Sequence, residues 1–385
     1  MKHVLLGSTA LVAGGLIASG AMAQDAVQLG ITGFYQAAMG GIPFEDGEIE
    51  HEVRNYSTET NGEIRFHGEA TLDNGLTVGA RIELEAFNSG DQIDQAYAFI
   101  SGGFGEVRLG DQLEALAQMC YLAPQAGSLF GADSPNFNFS NAGVLGYGAT
   151  NGTCYGLSAE SSSILYFSPN FGGFSFAASF APEASDSQGG GVANLGAAQT
   201  FGGPGGPLLG QPSTEFDNNP GQLDNIWSIA ANFSQDFNGF SLVAGGAASF
   251  ATRESSSINT QDYNAYLNVG FGGWTIGGAF EYRDDISGTI NGIDNWVGAV
   301  GTTYNWDAWT VGLTWSHGEY EVTGSSDGDK YDIIQLTGAY ALGPGVSLEG
   351  MVGYNDYRDD GTNFPGVGDG DYEAIEVGAG IGINF

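Results

Sequence analysis

Residues 261–284 read QDYNAYLNVGFGGWTIGGAFEYRD, and this stretch decides the fold class. Apolar side chains occupy every second position from Tyr263 to Phe271, and the residues between them are mostly polar or small. A period of two is typical of a β-strand with one apolar face. Gly272 separates this strand from a second one, predicted at 273–284, so the pair forms a tight hairpin.

The same alternation recurs along most of the chain, in segments of about nine to fourteen residues. Strands of soluble proteins usually have about five or six residues, whereas a tilted membrane-spanning strand needs about nine to eleven. The pattern predicts sixteen strands, at 26–39, 62–73, 75–87, 92–101, 104–112, 161–169, 173–182, 224–237, 239–252, 261–271, 273–284, 293–306, 308–321, 331–342, 345–357 and 372–385.

The connections between these strands alternate in length. Seven are tight turns, and the other eight are mostly longer and contain most of the acidic residues. This arrangement predicts strands that run up and down, with short periplasmic turns at one end and long loops at the other. Lipid cannot satisfy a sheet edge, so the sheet has to close. We therefore predict an all-β protein, a 16-stranded antiparallel transmembrane β-barrel whose lumen contains water.

The first 23 residues predict a secretory signal peptide. Lys2 and His3 precede an apolar stretch at 4–20, and the small residues Ala21 and Ala23 stand at the positions that a signal peptidase reads. The alternative is an N-terminal membrane anchor, but the apolar stretch is short for a spanning helix. The barrel is then expected to occupy residues 24–385.

Acidic residues outnumber basic ones by 45 to 9, so the charge balance is strongly negative. Phosphate binding needs clustered Lys and Arg, which excludes nucleic acid as an expected partner. The acid-rich loops are expected to be solvated, and the alternative is Ca²⁺ binding, since Ca²⁺ takes six to eight oxygen ligands. Candidate ligands for Ca²⁺ are Asp359, Asp360, Asp369 and Asp371.

The chain resembles the general bacterial outer-membrane porins, most of all the Rhodobacter-like porins of alphaproteobacteria. The resemblance rests on the opening strand at 27–35, the sixteen-strand layout, a long third loop and the terminal Phe385. It implies a homotrimer in the bacterial outer membrane, in contact with lipid and lipopolysaccharide, in which each barrel passes small hydrophilic solutes. It also implies that Phe385 is read by the outer-membrane assembly machinery.

The third loop is predicted at about 113–160, and the resemblance implies that it folds into the lumen and narrows it. Alternation places Arg65, Arg81 and Arg108 on the inward face of neighbouring strands. By resemblance, these arginines line the constriction and face acids of the loop, for which Glu114 and Asp133 are the candidates. The alternative is that each arginine pairs with an adjacent inward-facing glutamate of the wall, namely Glu63, Glu83 or Glu106.

Two cysteines, Cys120 and Cys154, both lie in the third loop. In an exported protein a pair of cysteines predicts one disulfide. The bond closes a segment of roughly 35 residues and stabilises the fold by roughly 3–4 kcal/mol in the chain-entropy model. Two roles stay open, fixing the loop within the lumen and stabilising the fold in general.

The last nine residues, VGAGIGINF at 377–385, resemble a dinucleotide-binding glycine loop, but no helix follows them, so that interpretation fails. We expect a last strand that pairs with the first one. Its apolar residues should face lipid, and its glycines should leave space for water in the lumen.

Ser316 and His317 are adjacent on a strand and face opposite sides, so they do not form a catalytic pair. No enzyme motif is found in the sequence.

These observations predict a passive, weakly cation-selective diffusion channel, because negative charge concentrates cations at a pore mouth. The alternative is a channel selective for one substrate class, such as sugars or peptides. Phe34 and Tyr266 are predicted to face the lumen, but no continuous aromatic track is evident from the sequence.

Overall fold

The barrel closes between the first and last strands, as the computed structural model shows. It describes residues 27–47, 55–86, 93–139, 152–158, 160–184, 223–253, 259–284, 293–322, 328–358 and 371–385. β1 pairs with β16, and every other pairing joins strands that are consecutive in sequence. The predicted 16-stranded antiparallel barrel is confirmed, with strands β1 Gln28–Gly47, β2 Tyr56–Thr71, β3 Thr77–Glu85, β4 Ile93–Gly102, β5 Gly105–Gln112, β6 Ser161–Phe167, β7 Phe174–Glu183, β8 Leu223–Phe237, β9 Phe240–Arg253, β10 Thr260–Phe271, β11 Trp274–Asp284, β12 Ile293–Trp306, β13 Trp309–Val322, β14 Asp329–Gly343, β15 Val346–Arg358 and β16 Tyr372–Asn384.

The apolar face of each strand points outward, as β8 illustrates. Trp227 and Ile229 are 59% and 57% exposed, whereas Ser228 between them is 1% exposed. An apolar surface of this extent is stable against lipid and not against water. The strands therefore present their apolar side chains to the membrane and their small and polar side chains to the interior.

Aromatic rings form a belt outside the barrel, at the end where the tight turns lie. Trp274 packs on Tyr304 with ring centroids 4.7 Å apart, and Trp309 packs on Tyr340 at 4.6 Å. Trp306 links these pairs, with its ring 5.7 Å from Tyr304 and 6.4 Å from Trp309. Such amphipathic rings settle at the boundary between hydrocarbon and headgroups. The belt marks one edge of the membrane-spanning band, at the end where the tight turns lie.

The first two strands are longer than the alternation predicts. β1 continues to Gly47 instead of ending at 39, and β2 begins at Tyr56 instead of 62. The added ladder pairs Ala37 with Thr60 and Met39 with Thr58. Polar residues such as Thr58 and Thr60 interrupt the apolar period, which is why the sequence pattern does not register this part of the ladder.

A β-bulge changes the facing of residues on β4. The β3–β4 register passes from Ile82 opposite Ala96 to Leu84 opposite Ile93, so two residues of β4 stand against Glu83 alone. A bulge of this kind redirects a side chain that strict alternation would place on the other face. The carboxylate oxygens of Glu63, Glu83 and Asp94 consequently lie within 4.8 Å of one another.

A single short helix, α1 at Ala115–Met119, accompanies the strands in the described part of the chain. Among those residues, no helix has the length and apolar character needed to cross a membrane.

Candidate functional site

The described parts of the third loop, 113–139 and 152–158, lie inside the barrel and are hydrogen-bonded to inward-facing side chains of the wall. This confirms the predicted infolding. The loop's backbone amides donate to hydroxyls of the strands, and its carbonyls accept from a hydroxyl and from an asparagine side-chain amide. The bonds join Ala115 N to Ser179 Oγ at 3.0 Å, Leu116 N to Ser228 Oγ at 2.9 Å, Leu122 O to Asn268 Nδ2 at 3.1 Å, Pro124 O to Thr314 Oγ1 at 2.8 Å and Ala126 N to Thr337 Oγ1 at 3.0 Å.

Two glutamates of the last strands hold the following part of the loop. Glu349 on β15 accepts hydrogen bonds from the amides of Ser128 and Leu129, each at 2.8 Å. Glu376 on β16 accepts from the amide of Phe139 at 3.0 Å. Bonds to a carboxylate are roughly twice as strong as bonds between neutral groups. Sequence analysis did not assign these glutamates a role, although alternation alone places both on the inward face.

The glycines of the last strand make room for the third loop. A Cβ at Gly380 would lie 2.6 Å from the side chain of Leu129, and one at Gly378 would lie 3.0 Å from Phe130 and Phe139. The expectation that these glycines leave space for water is therefore wrong. Loop residues fill that space as part of a buried apolar cluster of Ala38, Leu129, Phe130, Phe137, Phe139 and Met351.

Glu114 and Asp133 do not present their charge to the arginines, contrary to expectation. Glu114 accepts from the amides of Leu157 and Ser158 and from Ser249 Oγ at 2.6 Å. Asp133 accepts from the amides of Ala123 and Thr153, both at 3.0 Å. A buried carboxylate requires such donors, and the loop backbone supplies them. Burial raises the pKa of both carboxyls, and these hydrogen bonds oppose that rise.

The predicted disulfide is confirmed. It joins Cys120 to Cys154, whose Cα atoms are 5.6 Å apart. It connects the part of the loop that follows α1 to the part that returns toward β6. Tyr155, next to Cys154, donates its amide to Glu281 Oε2 on β11 at 3.0 Å. The disulfide thus lies where two separately attached parts of the third loop meet.

The inward-facing arginines of β2, β3 and β5 form an arginine wall, defined by Arg65, Arg81 and Arg108. Arg65 forms an ion pair with Glu63 and lies 3.5 Å from Glu83, and Arg81 pairs with Glu83. The register sets Arg65 directly opposite Glu83. Two arginines are thus brought together around one buried glutamate.

Arg108 stands two strands away from Arg81 and is held differently. Its Nε lies 2.6 Å from Glu106 Oε1. Its Cζ lies 4.8 Å from the ring centroid of Tyr97 and 4.6 Å from that of Phe167, so the guanidinium contacts two aromatic rings. The arginine wall therefore follows the alternative in which each arginine pairs with a glutamate of the wall. With Asp94, these three glutamates set four carboxylates beside three guanidiniums.

A family model described as Gram-negative porin matches residues 7–360 of the chain. The chain belongs to the Gram-negative porin family. A porin is an outer-membrane channel protein, so this chain resides in the bacterial outer membrane and conducts rather than catalyses. A comparison with curated protein sequences found no match.

Solved porin structures share the fold at low sequence identity. The anion-selective porin of Comamonas acidovorans is 16% identical with a TM-score of 0.58, and the match covers 94% of this chain and 100% of that one. OmpT of Vibrio cholerae in its trimer form is 14% identical with a TM-score of 0.56, covering 94% and 100%. A mutant of Rhodobacter blastica porin is 15% identical with a TM-score of 0.50, covering 93% and 100%.

Three further predictions concern the terminal aromatic residue, the signal peptide and Ca²⁺ binding. Phe385 is exposed at the end of the chain, and its backbone is hydrogen-bonded to that of Gly33 on β1 in both directions, at 2.8 and 3.0 Å. The signal peptide at 1–23 lies outside the described residues. So do Asp359, Asp360 and Asp369, while Asp371 is exposed before β16. Binding of Ca²⁺ by these residues stays a prediction.

Proposed function

We propose that this porin is a general diffusion channel, a passive water-filled pore for ions and small hydrophilic solutes with a weak preference for cations. The charge balance of the arginine wall carries the proposal. Each arginine is paired with a glutamate, and Asp94 adds a fourth acidic group beside the three guanidiniums. Cations should therefore be concentrated at this wall.

The fold by itself does not fix ion selectivity. The Comamonas acidovorans porin shares this architecture and is described as anion-selective. The side chains that line the lumen must make the difference, because a charged ring in a pore acts on ions at close range. The present chain has an excess of 36 negative charges, which supports preference for cations.

The reversal potential tests this proposal. Purified protein is inserted into a planar lipid bilayer with unequal KCl concentrations on the two sides. We expect a reversal potential with the sign that K⁺ flux sets. Its magnitude should be smaller than that of an ideally cation-selective channel. A potential set by Cl⁻ flux would refute cation preference, and the absence of conductance would refute the channel itself.

We further propose a homotrimer, since the fold is shared with a porin whose structure is described as a trimer form. The proposed partners of the outward apolar band are outer-membrane lipid and lipopolysaccharide. The assembly machinery is the proposed reader of Phe385. Each insertion of a trimer should raise the bilayer conductance by one step, and this conductance should then close in three equal steps. Insertions that always close in a single step would contradict the trimer.

A further inference from the structure

Each cysteine of the disulfide is followed by a tyrosine, and both rings are unusually exposed. Tyr121 is 45% exposed and Tyr155 is 38% exposed. The cysteine Cα atoms are 5.6 Å apart, so the two tyrosines start from adjacent points of the third loop. Five other large apolar side chains of this loop are buried: Leu116, Leu129, Phe130, Phe137 and Phe139. By contrast, the rings of Tyr121 and Tyr155 are open to the water inside the barrel.

Contacts from the barrel wall support both rings. The Tyr121 ring centroid lies 5.4 Å from that of Tyr266 on β10. The Tyr266 hydroxyl donates to Met119 O at 2.6 Å and accepts from an amide of β8 at 2.9 Å, so this supporting ring is itself fixed. The guanidinium Cζ of Arg283 lies 5.0 Å from the centroid of Tyr155. Rings held in place before a ligand arrives lose little entropy when it binds.

Unpaired polar groups lie on the same stretch of wall. Asn264 and Asn268 flank Tyr266 at a spacing of two residues on β10, so all three face the lumen side. Asn264 is 6% exposed, and neither its Oδ1 nor its Nδ2 has a hydrogen-bond partner within the described part of the chain; the same holds for Asn268 Oδ1. These amides are closed off from the lumen water, so they make the wall beside Tyr266 polar without being exposed to a solute themselves.

The chemistry selects among solutes. Asp262 and Glu281 are fully buried, and Glu281 pairs with Arg283 at 3.0 Å, so the described part of this wall offers no free cation to an anionic ligand. The hydroxyls of Tyr121 and Tyr155 can both donate and accept hydrogen bonds, which suits a neutral solute rich in hydroxyl groups. An exposed aromatic ring packs well on a flat apolar face, and a pyranose ring has both such a face and hydroxyls at its rim. A saccharide therefore matches the site better than an organic acid.

We propose that Tyr121 and Tyr155 form a stacking site for a neutral saccharide inside the lumen. The inference rests on the proposed channel function and specifies one class of solute that this channel retains during passage. The disulfide fixes the spacing of the two rings, and Tyr266 and Arg283 support them from the wall.

The experiment measures KCl current through bilayer-inserted protein while maltotriose is added. Wild-type current should fall reversibly and saturably as maltotriose concentration rises. Tyr121→Ala and Tyr155→Ala should each weaken the block by about tenfold, the effect of losing one stacked ring. Tyr121→Phe keeps the ring and should retain the block. Tyr340→Ala in the outer aromatic belt should behave as wild type.

Each result has a defined meaning. The KCl conductance of every variant, measured before sugar is added, shows that the barrel and loop have folded. Maltotriose that leaves wild-type current unchanged, glycerol that reduces it equally at the same osmolality, or alanine variants blocked as strongly as wild type would overturn the saccharide site. None of these results would affect the diffusion channel, whereas wild-type protein without KCl conductance would remove it.

Discussion

At the scale of single residues, buried carboxyls decide how firmly the third loop is held. Burial raises the pKa of Glu114 and of Asp133. The folded protein therefore binds protons at these groups more tightly than the unfolded chain does. By linkage, the stability gained from protonation is fully present below the unfolded pKa of about 4 and is lost as pH rises through the raised folded values.

Thermal unfolding should consequently depend on pH through these two groups. We expect the unfolding temperature to fall as pH rises above about 4, measured from the loss of the compact form on gels of samples incubated at increasing temperature. The double variant Glu114→Gln, Asp133→Asn cannot titrate at these positions, so its unfolding temperature should change less over the same range. An equal change in both proteins would show that other carboxyls are responsible.

The roles of individual residues were only partly predictable. Alternation places Glu349 inward, but its partner Leu129 is 220 residues away in sequence, and no local pattern reports that contact. Glu114 and Asp133 look like pore acids in sequence, because nothing there shows that loop amides surround them. Asp94 escapes prediction for another reason, since a bulge changes which side of β4 it faces.

At the scale of elements, the end of β16 is bound to the first strand by its last residue. The Phe385 backbone pairs with that of Gly33, where a Cβ would lie 3.0 Å from the Phe385 ring. Deleting Phe385 removes these two hydrogen bonds and the terminal aromatic, but no side chain of the lumen. We expect lower trimer yield in the outer membrane with unchanged conductance of the channels that form.

The control for this deletion is Phe385→Tyr, which keeps an aromatic terminus and should assemble near the wild-type level. Trimer yield is read from unheated gels of membrane extracts, and conductance from bilayers. A deletion variant that assembles normally would refute the assembly role of Phe385.

The elements were more predictable than the site. Period-two alternation locates all sixteen strands, because each strand has one face against lipid and one toward the lumen. It fails at the end of β1 and the start of β2, where the ladder extends through polar residues. Length and resemblance predict the infolded third loop, but its path along β7 to β16 depends on hydroxyls scattered over distant strands.

At the scale of the whole molecule, the arginine wall and its glutamates should set ion preference together. Replacing Glu63, Glu83 and Glu106 by Gln removes three acidic groups and leaves the guanidiniums without their partners. We expect the reversal potential to move toward anion preference. The matched variant, with Arg65, Arg81 and Arg108 replaced by Gln, should move it further toward cations. Equal reversal potentials in the two triple variants would show that selectivity arises elsewhere in the pore.

The third loop also joins the two ends of the chain. Gln36 on β1 donates to Ser128 at 3.1 Å and accepts from Asn136 at 3.0 Å, while Glu349 on β15 and Glu376 on β16 hold neighbouring loop amides. The third loop, which belongs to the first half of the sequence, therefore stabilises the pairing of β1 with β16 from inside the barrel. Opening the wall between β1 and β16 would have to break their ladder of hydrogen bonds and detach the third loop at the same time. Lateral release of a solute into the membrane is therefore costly.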